Sequence, residues 1–276
     1  MAPPKQGLPP QEGSFLSHTP ERFFSATDFT TESDFHTHVL EMIRSATHHE
    51  KIIYTQVPPA WGSSVFEKHY NAAVRTLWIR IMPTEIHDCH QVWVRDEMAR
   101  WQASGALTYE ELLHLRPLVG TTIEFQHAPY AGSRKEPDFL MRPVNQRLPT
   151  LVMESGWSES FPRLLGDLNL WLVGGAGAVN AIIILQWQTI TGTNRVGGTA
   201  ELYTPDMNGT PVMRQRELVF PAPSQSQTQE FRLTRRMLFT STIFPGRNPD
   251  DVITLKLDRL RVVAADGLSL MGLVPA

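Results

Sequence analysis

The chain has 276 residues, 41% hydrophobic and 19% charged, which supplies enough apolar side chains to close a core and too many for disorder throughout. Its 25 basic and 28 acidic residues leave a formal charge of −3, which excludes the broad basic field of a protein that coats nucleic acid but not a local basic patch. With one cysteine, Cys89, an intramolecular disulfide and a zinc site built on several thiolates are excluded as well.

Residues 1–20 are rich in Pro, Gly, Gln and Ser without periodicity and read as a flexible tail. Their Met-Ala-Pro-Pro-Lys opening has no apolar core of the kind a secretory signal needs, which with the lone cysteine points to an intracellular protein, cytoplasmic or nuclear. Residues 21–118 read as a helical region. Helical spacing is found near Glu32 to His49, near Ser63 to Arg80, and from Thr84, a candidate N-cap after Pro83, to Ala103 before Gly105. A short helix follows at Tyr109 to Leu115, where Thr108 and Glu111 have capping-box spacing and Pro117 stops the helix. Trp78, Trp93, Trp101 and Trp171 sit in amphipathic patterns and are most simply core.

From Thr121 the period changes, and residues 119–276 read as an α/β core with a strand-rich extension, continuous with the helical region. Thr121 to Gln126, Asp138 to Arg142 and Leu151 to Glu154 predict three strands. Phe161, Leu164, Leu165, Leu168 and Leu172 predict a helix over Ser158 to Val173, stopped by Gly174, Gly175 and Gly177. Val179 to Gln188 is almost wholly apolar, the mark of a strand buried on both faces of a parallel or mixed sheet. No charge falls between Leu168 and Asn194, yet glycines and amides break the stretch below the roughly 18 to 20 residues needed to cross a bilayer, so no membrane span is expected. Strands follow at Gly198 to Tyr203 and near Arg214 to Phe220, and Val252 to Val263 fits either strand or helix.

The residues with most chemistry lie between Glu136 and Asp167. Asp138 opens one short strand and Glu154 ends the next, so antiparallel pairing would bring both carboxylates onto one hard cation, and one or two carboxylates are what Mg²⁺ takes from a protein. Pro137-Asp138, the apolar strand Leu151 to Met153, and Glu154-Ser155-Gly156 resemble the PD-(D/E)XK nuclease superfamily. More narrowly, Glu136 to Asp138, Glu154 to Ser160, Leu164, Asp167, Trp171 and Leu172 look like fungal proteins and bacterial restriction-type endonucleases of that fold. The resemblance spans about residues 120–190.

It implies a restriction-endonuclease-like core of mixed sheet flanked by helices, and a Mg²⁺- or Mn²⁺-dependent nuclease acting on DNA or RNA with Asp138 and Glu154 as metal ligands. Glu124 or Glu136 are further candidate acids. The superfamily's lysine would fall two residues after Glu154, where this chain has Gly156. Arg163, Gln186, Gln188 and Lys135, in that order, are the candidates to replace it, so the catalytic set reads Asp138, Glu154, Arg163 and Gln186. The alternative is a binding or scaffolding module that kept the fold and lost catalysis.

Two other constellations are weaker. Gly156 to Ser160 lies one residue off a nucleophile elbow, but every histidine precedes Ser158, so the hydrolase order of serine, acid and histidine cannot be built. His87-Asp88-Cys89-His90 puts two imidazoles on one helical face without the second cluster a zinc site needs, and reads by default as a polar face.

Overall fold

The computed structural model describes residues 21–45, 50–64, 69–81, 85–157, 161–223 and 228–276. The predicted tail, the cap at Thr84 and the Ser158 turn lie outside them. The described residues fold as two mixed sheets and a two-stranded antiparallel pair, flanked by helices, and among them no helix is long and apolar enough to cross a membrane.

The first sheet corrects the expectation of a helical N-terminal region. Strands β1 (Glu21–Ser25), β2 (Glu50–Thr55), β3 (His69–Asn71) and β4 (Thr76–Ile81) are interleaved with helices α1 (Glu32–Ser45) and α2 (Pro59–Ser64). The run from Ser63 to Arg80, read as helix, holds β3 and β4. There Leu77 and Ile79 point into a core with Phe35, Val39, Ile52, Tyr54 and Tyr70, while Trp78 between them points away, a period of two. Asn71 turns the chain by accepting the Ala73 N–H at 3.0 Å. The sheet is completed from later in the chain by β6 (Ile123–Glu124) and β7 (Arg134–Lys135), in the order β1-β2-β4-β3-β7-β6.

In the second sheet two of the three expected strands, those at Asp138 and Leu151, pair as antiparallel neighbours, and the helix and strand expected after them follow. Helix α3 (Glu85–Ala103) and short α4 (Tyr109–His114) lead into β5 (Leu115–Leu118), β8 (Phe139–Pro143) and β9 (Leu151–Trp157), all antiparallel neighbours. Pro117 lies within β5, the edge strand, where a missing N–H is tolerated. The strand expected at Thr121 shrinks to β6 and joins the first sheet instead. Helix α5 (Phe161–Leu172) then crosses over to β10 (Ala181–Thr189), parallel to β9. Gly177, at φ 84°, lies in the turn that follows α5. Strands β11 (Arg195–Pro205) and β12 (Pro211–Phe220) extend the sheet, giving the order β12-β11-β10-β9-β8-β5.

Burial on both faces of β9 and β10 explains their apolar sequences. Val152, Ile182 and Ile184 pack on Leu164, Leu168 and Trp171 of α5. Met153, Ile183 and Leu185 face Trp93 and Trp101 of α3 on the other side. The ambiguous stretch from Val252 is both elements in turn, β14 (Val252–Lys256) and α7 (Leu257–Leu270), following β13 (Glu230–Thr234) and α6 (Arg235–Phe239). A two-residue β15 (Val274–Pro275) pairs with β11. Trp93 and Trp101 donate their indole N–H groups to the carbonyls of Lys256 and Thr254 at 2.8 and 2.6 Å, fixing α3 to β14 of the antiparallel β13–β14 pair.

The capping box at α4 forms as expected: Thr108 Oγ1 accepts the Glu111 N–H and Glu111 accepts the Thr108 N–H at 2.7 Å. Glu111 is wholly buried, and the Arg235 guanidinium, itself buried, pairs with it from α6. Removing Arg235 leaves the buried Glu111 to the partly exposed Arg247, 3.5 Å away, which compensates it less well. Arg235→Ala is therefore expected to destabilise the protein by about 3 kcal/mol in urea denaturation, and a loss below about 0.5 kcal/mol, the scale of ordinary surface substitutions, would contradict this role.

Candidate functional site

The site lies where the chain passes from one sheet to the other. Lys135 ends β7 in the first sheet, and three residues later Asp138 stands at the mouth of β8 in the second. In the first sheet Trp78 pairs with His69 and His69 with Lys135, so these three side chains form a row on one face. In the second, Phe139 pairs with Met153, which sets Asp138 opposite Glu154. Helix α5 adds Arg163 and Asp167 one turn apart, and α3 adds His87.

These groups close into a network of ion pairs. Lys135 Nζ donates to Asp167 Oδ2 at 2.9 Å and stands 3.2 Å from Glu154 Oε2. Trp171 donates its indole N–H to Glu154 Oε1 at 2.8 Å. His69 spans the same centre, with Nδ1 3.2 Å from the ammonium and Nε2 3.2 Å from Asp167 Oδ1. Because an ammonium can only donate, Nδ1 is the acceptor and Nε2–H the donor. Arg163 Nη1 lies 3.7 Å from Asp167 Oδ2, with Nε and Nη2 buried and without a hydrogen-bond partner among the described residues. Asp138 Oδ2 accepts the Ser155 N–H at 2.7 Å and lies 3.2 Å from His87 Nε2, whose ring holds Asp88 on its other nitrogen at 2.8 Å.

Beside this network opens a cleft of about 290 Å³, lined by Lys51, His69 and Trp78 of the first sheet, His87, Asp88 and Gln91 of α3, and Lys135, Glu136, Asp138 and Arg163. Its cations Lys51, Lys135 and Arg163 are balanced by Asp88, Glu136 and Asp138. Glu154, 1% exposed, is not among the cleft residues and reaches the cleft only through Lys135.

Of the residues singled out in the sequence, Asp138, Glu154 and Arg163 are thus brought together, and Glu136 joins them at the cleft. Gln186 and Gln188 are not among the cleft residues. Gln186 lies on β10 opposite Gly156, its amide oxygen 3.5 Å from the Thr199 hydroxyl. The cation nearest the paired carboxylates is Lys135, ranked last by sequence. Glu124 on β6 is exposed. Trp93, Trp101 and Trp171 are core as expected, whereas Trp78 is half-buried and opens on the cleft. The polar helix face read at His87 to His90 is also corrected: His87, Cys89 and His90 are all buried, because α3 packs that side against the site. His69 and Lys51 carried no sequence signal beyond their residue type.

The electrostatics follow from this enclosure. Burial pushes the Glu154 carboxyl up to about 8; the Lys135 ammonium pulls the other way, and the charges of Asp138 and Asp167 add to the rise. Burial also opposes ionisation of Asp88, but the hydrogen bond and charge of His87 outweigh it and hold that carboxyl below its usual range. Burial lowers the pKa of His90, whose Nδ1 lies 2.8 Å from the His87 carbonyl. Burial raises that of the Cys89 thiol, which is thereby kept from thiolate chemistry.

A carboxyl whose folded pKa lies above its unfolded value loses stability as pH rises between the two. From about pH 5 to pH 8 the folded chain keeps a proton on Glu154 that the unfolded chain releases, so the melting temperature is expected to fall across this window. Glu154→Gln removes the titrating group and should flatten the slope; equal slopes for both proteins in thermal melts would contradict the assignment. Compared with known proteins, the chain matches no family model, no curated protein and no solved structure.

Proposed function

We propose that the chain is a nuclease-like protein of PD-(D/E)XK architecture that hydrolyses phosphodiester bonds in nucleic acid with Mg²⁺ or Mn²⁺, and that Lys135 takes the place of the lysine absent at Gly156. The observation that carries this reading is the position of Lys135, 3.2 Å from Glu154 and 2.9 Å from Asp167, beside an open cleft with Asp138 on its lining. The succession of α3, the antiparallel strands β5, β8 and β9, with β6 and β7 of the first sheet intervening, then α5 and parallel β10 supports it at the level of architecture. Fold alone does not carry the activity, so the weight rests on the site.

The donors suit a hard divalent cation. Asp138 and Glu154 stand on facing positions of neighbouring strands, and Glu154 Oε2 is a buried oxygen that receives no well-aligned hydrogen bond. Among the described residues no group of three or more His, Cys, Asp or Glu is arranged to hold a metal, so the two carboxylates would share the coordination with water and phosphate oxygens, as Mg²⁺ prefers. Such an ion, when bound, polarises the phosphoryl group and lowers the pKa of an attacking water.

The chain's own residues do the rest. Lys135 places a positive charge beside the carboxylates, where negative charge develops on the phosphate, in a site that burial makes low in dielectric. Its row with His69 holds the ammonium at one point, because Asp167 and His69 take its protons from two directions. Arg163, reaching Asp167 from the next turn of α5, adds a second cation to the lining of the cleft, suited to a phosphate oxygen. The indole N–H of Trp171 and the backbone N–H of Ser155 fix the two carboxylates in place.

One observation favours the second reading, a binding or scaffolding module without catalysis: Glu154 is sealed, and Lys135 already compensates it and Asp167. The two readings separate by calorimetric Mg²⁺ or Mn²⁺ titration with cleavage assays on single- and double-stranded DNA and RNA. The nuclease reading predicts cation binding and cleavage that vanish together in Asp138→Ala/Glu154→Ala. It also predicts that Lys135→Met lowers cleavage about 100-fold or more in a folded protein, while Gln186→Ala leaves it unchanged. Neither binding nor cleavage by folded wild type would leave the module.

A further inference from the structure

We propose that the cleft receives one nucleotide with its base unpaired, so that the substrate is single-stranded nucleic acid and Trp78 is the platform on which the base stacks. This rests on the reading of the ionic centre as a phosphodiester-cleaving site and adds the substrate class to it. The volume is the first ground. About 290 Å³ lies at the lower end of small-molecule sites and is far too small to take in a duplex.

The second is the row across the first sheet. Trp78, His69 and Lys135 occupy paired positions on three adjoining strands, the outer two backbones about 10 Å apart, and the imidazole touches the indole and lies 3.2 Å from the ammonium. A base stacked on the indole would direct its phosphate along this row toward the ammonium. The His69 and Trp78 rings are already in contact, centroids 4.6 Å apart and planes inclined by 40°, so the indole is propped from one side. On the strand beyond, Ile53 pairs with Trp78, and Lys51 two residues earlier projects on the same face into the cleft.

The third is the exposure of the ring. Trp93, Trp101, Trp171 and Trp187 are wholly buried, and of the half-buried Trp61, Trp78 and Trp157 it is Trp78 that lines the cleft. Stacking on an indole needs the flat face of a base, which a duplex hides between its neighbours and a single strand offers. Because every base has such a face, the platform predicts little sequence preference.

The test uses the full chain and a fluorescein-labelled oligonucleotide, single-stranded or annealed to its complement. Binding is read by anisotropy in EDTA, and cleavage separately in Mg²⁺. The expected result is tighter binding and faster cleavage of the single strand, with Trp78→Leu weakening single-strand binding about 5- to 100-fold and Trp78→Phe restoring most of it, in proteins with unchanged circular dichroism. Equal binding of single strand and duplex by wild type overturns the proposal, as does a folded Trp78→Leu that binds as wild type does. If wild type binds single strands through Trp78 and cleaves nothing, the stacking platform stands and the catalytic reading of the site fails. Cleavage that favours duplex gives the reverse outcome.

Discussion

A lysine ammonium held between two buried carboxyl groups, Glu154 and Asp167, is the constraint on which the meeting of the two sheets depends. Lys135 comes from the first sheet, Glu154 from the second and Asp167 from the helix that covers it, so one cation ties three elements at a single point. Burial of an ion pair is costly unless each charge finds several partners. Here Trp171 and His69 supply them from opposite sides. Removing Lys135 would take from Asp167 its nearest cation in a low-dielectric interior, and that holds Lys135 in position relative to Asp138 and the cleft.

The same geometry explains how a chain lacking lysine at position 156 can still present one. Residue 156 lies on β9, where its neighbour across the sheet is Gln186. The lysine arrives from the other side, on a two-residue strand that belongs to a different sheet but immediately precedes Glu136, Pro137 and Asp138. The crossing between sheets therefore brings in the cation and the acid on one short segment. Proline at 137, with its fixed φ, stiffens that segment.

The sequence was legible where period and punctuation were local. Strand β10 read correctly because its residues are apolar on both faces, and α4 because Thr108 and Glu111 cap it within one turn. Asp138 and Glu154 were legible as a pair because strands close in the chain pair with each other. The N-terminal sheet was not legible: β3 has three residues, and Trp78 between Leu77 and Ile79 blurs the alternation of β4 into an apolar run. Lys135 and His69 were illegible for a different reason. They are 66 residues apart, and only long-range pairing of β3 with β7 makes them neighbours. Trp78 reads as core in any periodicity argument because the cleft that exposes it is made by residues from five other elements and the loops between them.

The central claim is that this buried centre is a reaction site and not a strut between sheets. Anomalous diffraction from crystals soaked in Mn²⁺ tests it most directly. The account predicts a peak between the carboxylates of Asp138 and Glu154, with the Lys135 ammonium moved from Glu154 toward the cleft. Crystals that show no peak there, with Lys135 still paired to both Glu154 and Asp167, would contradict it.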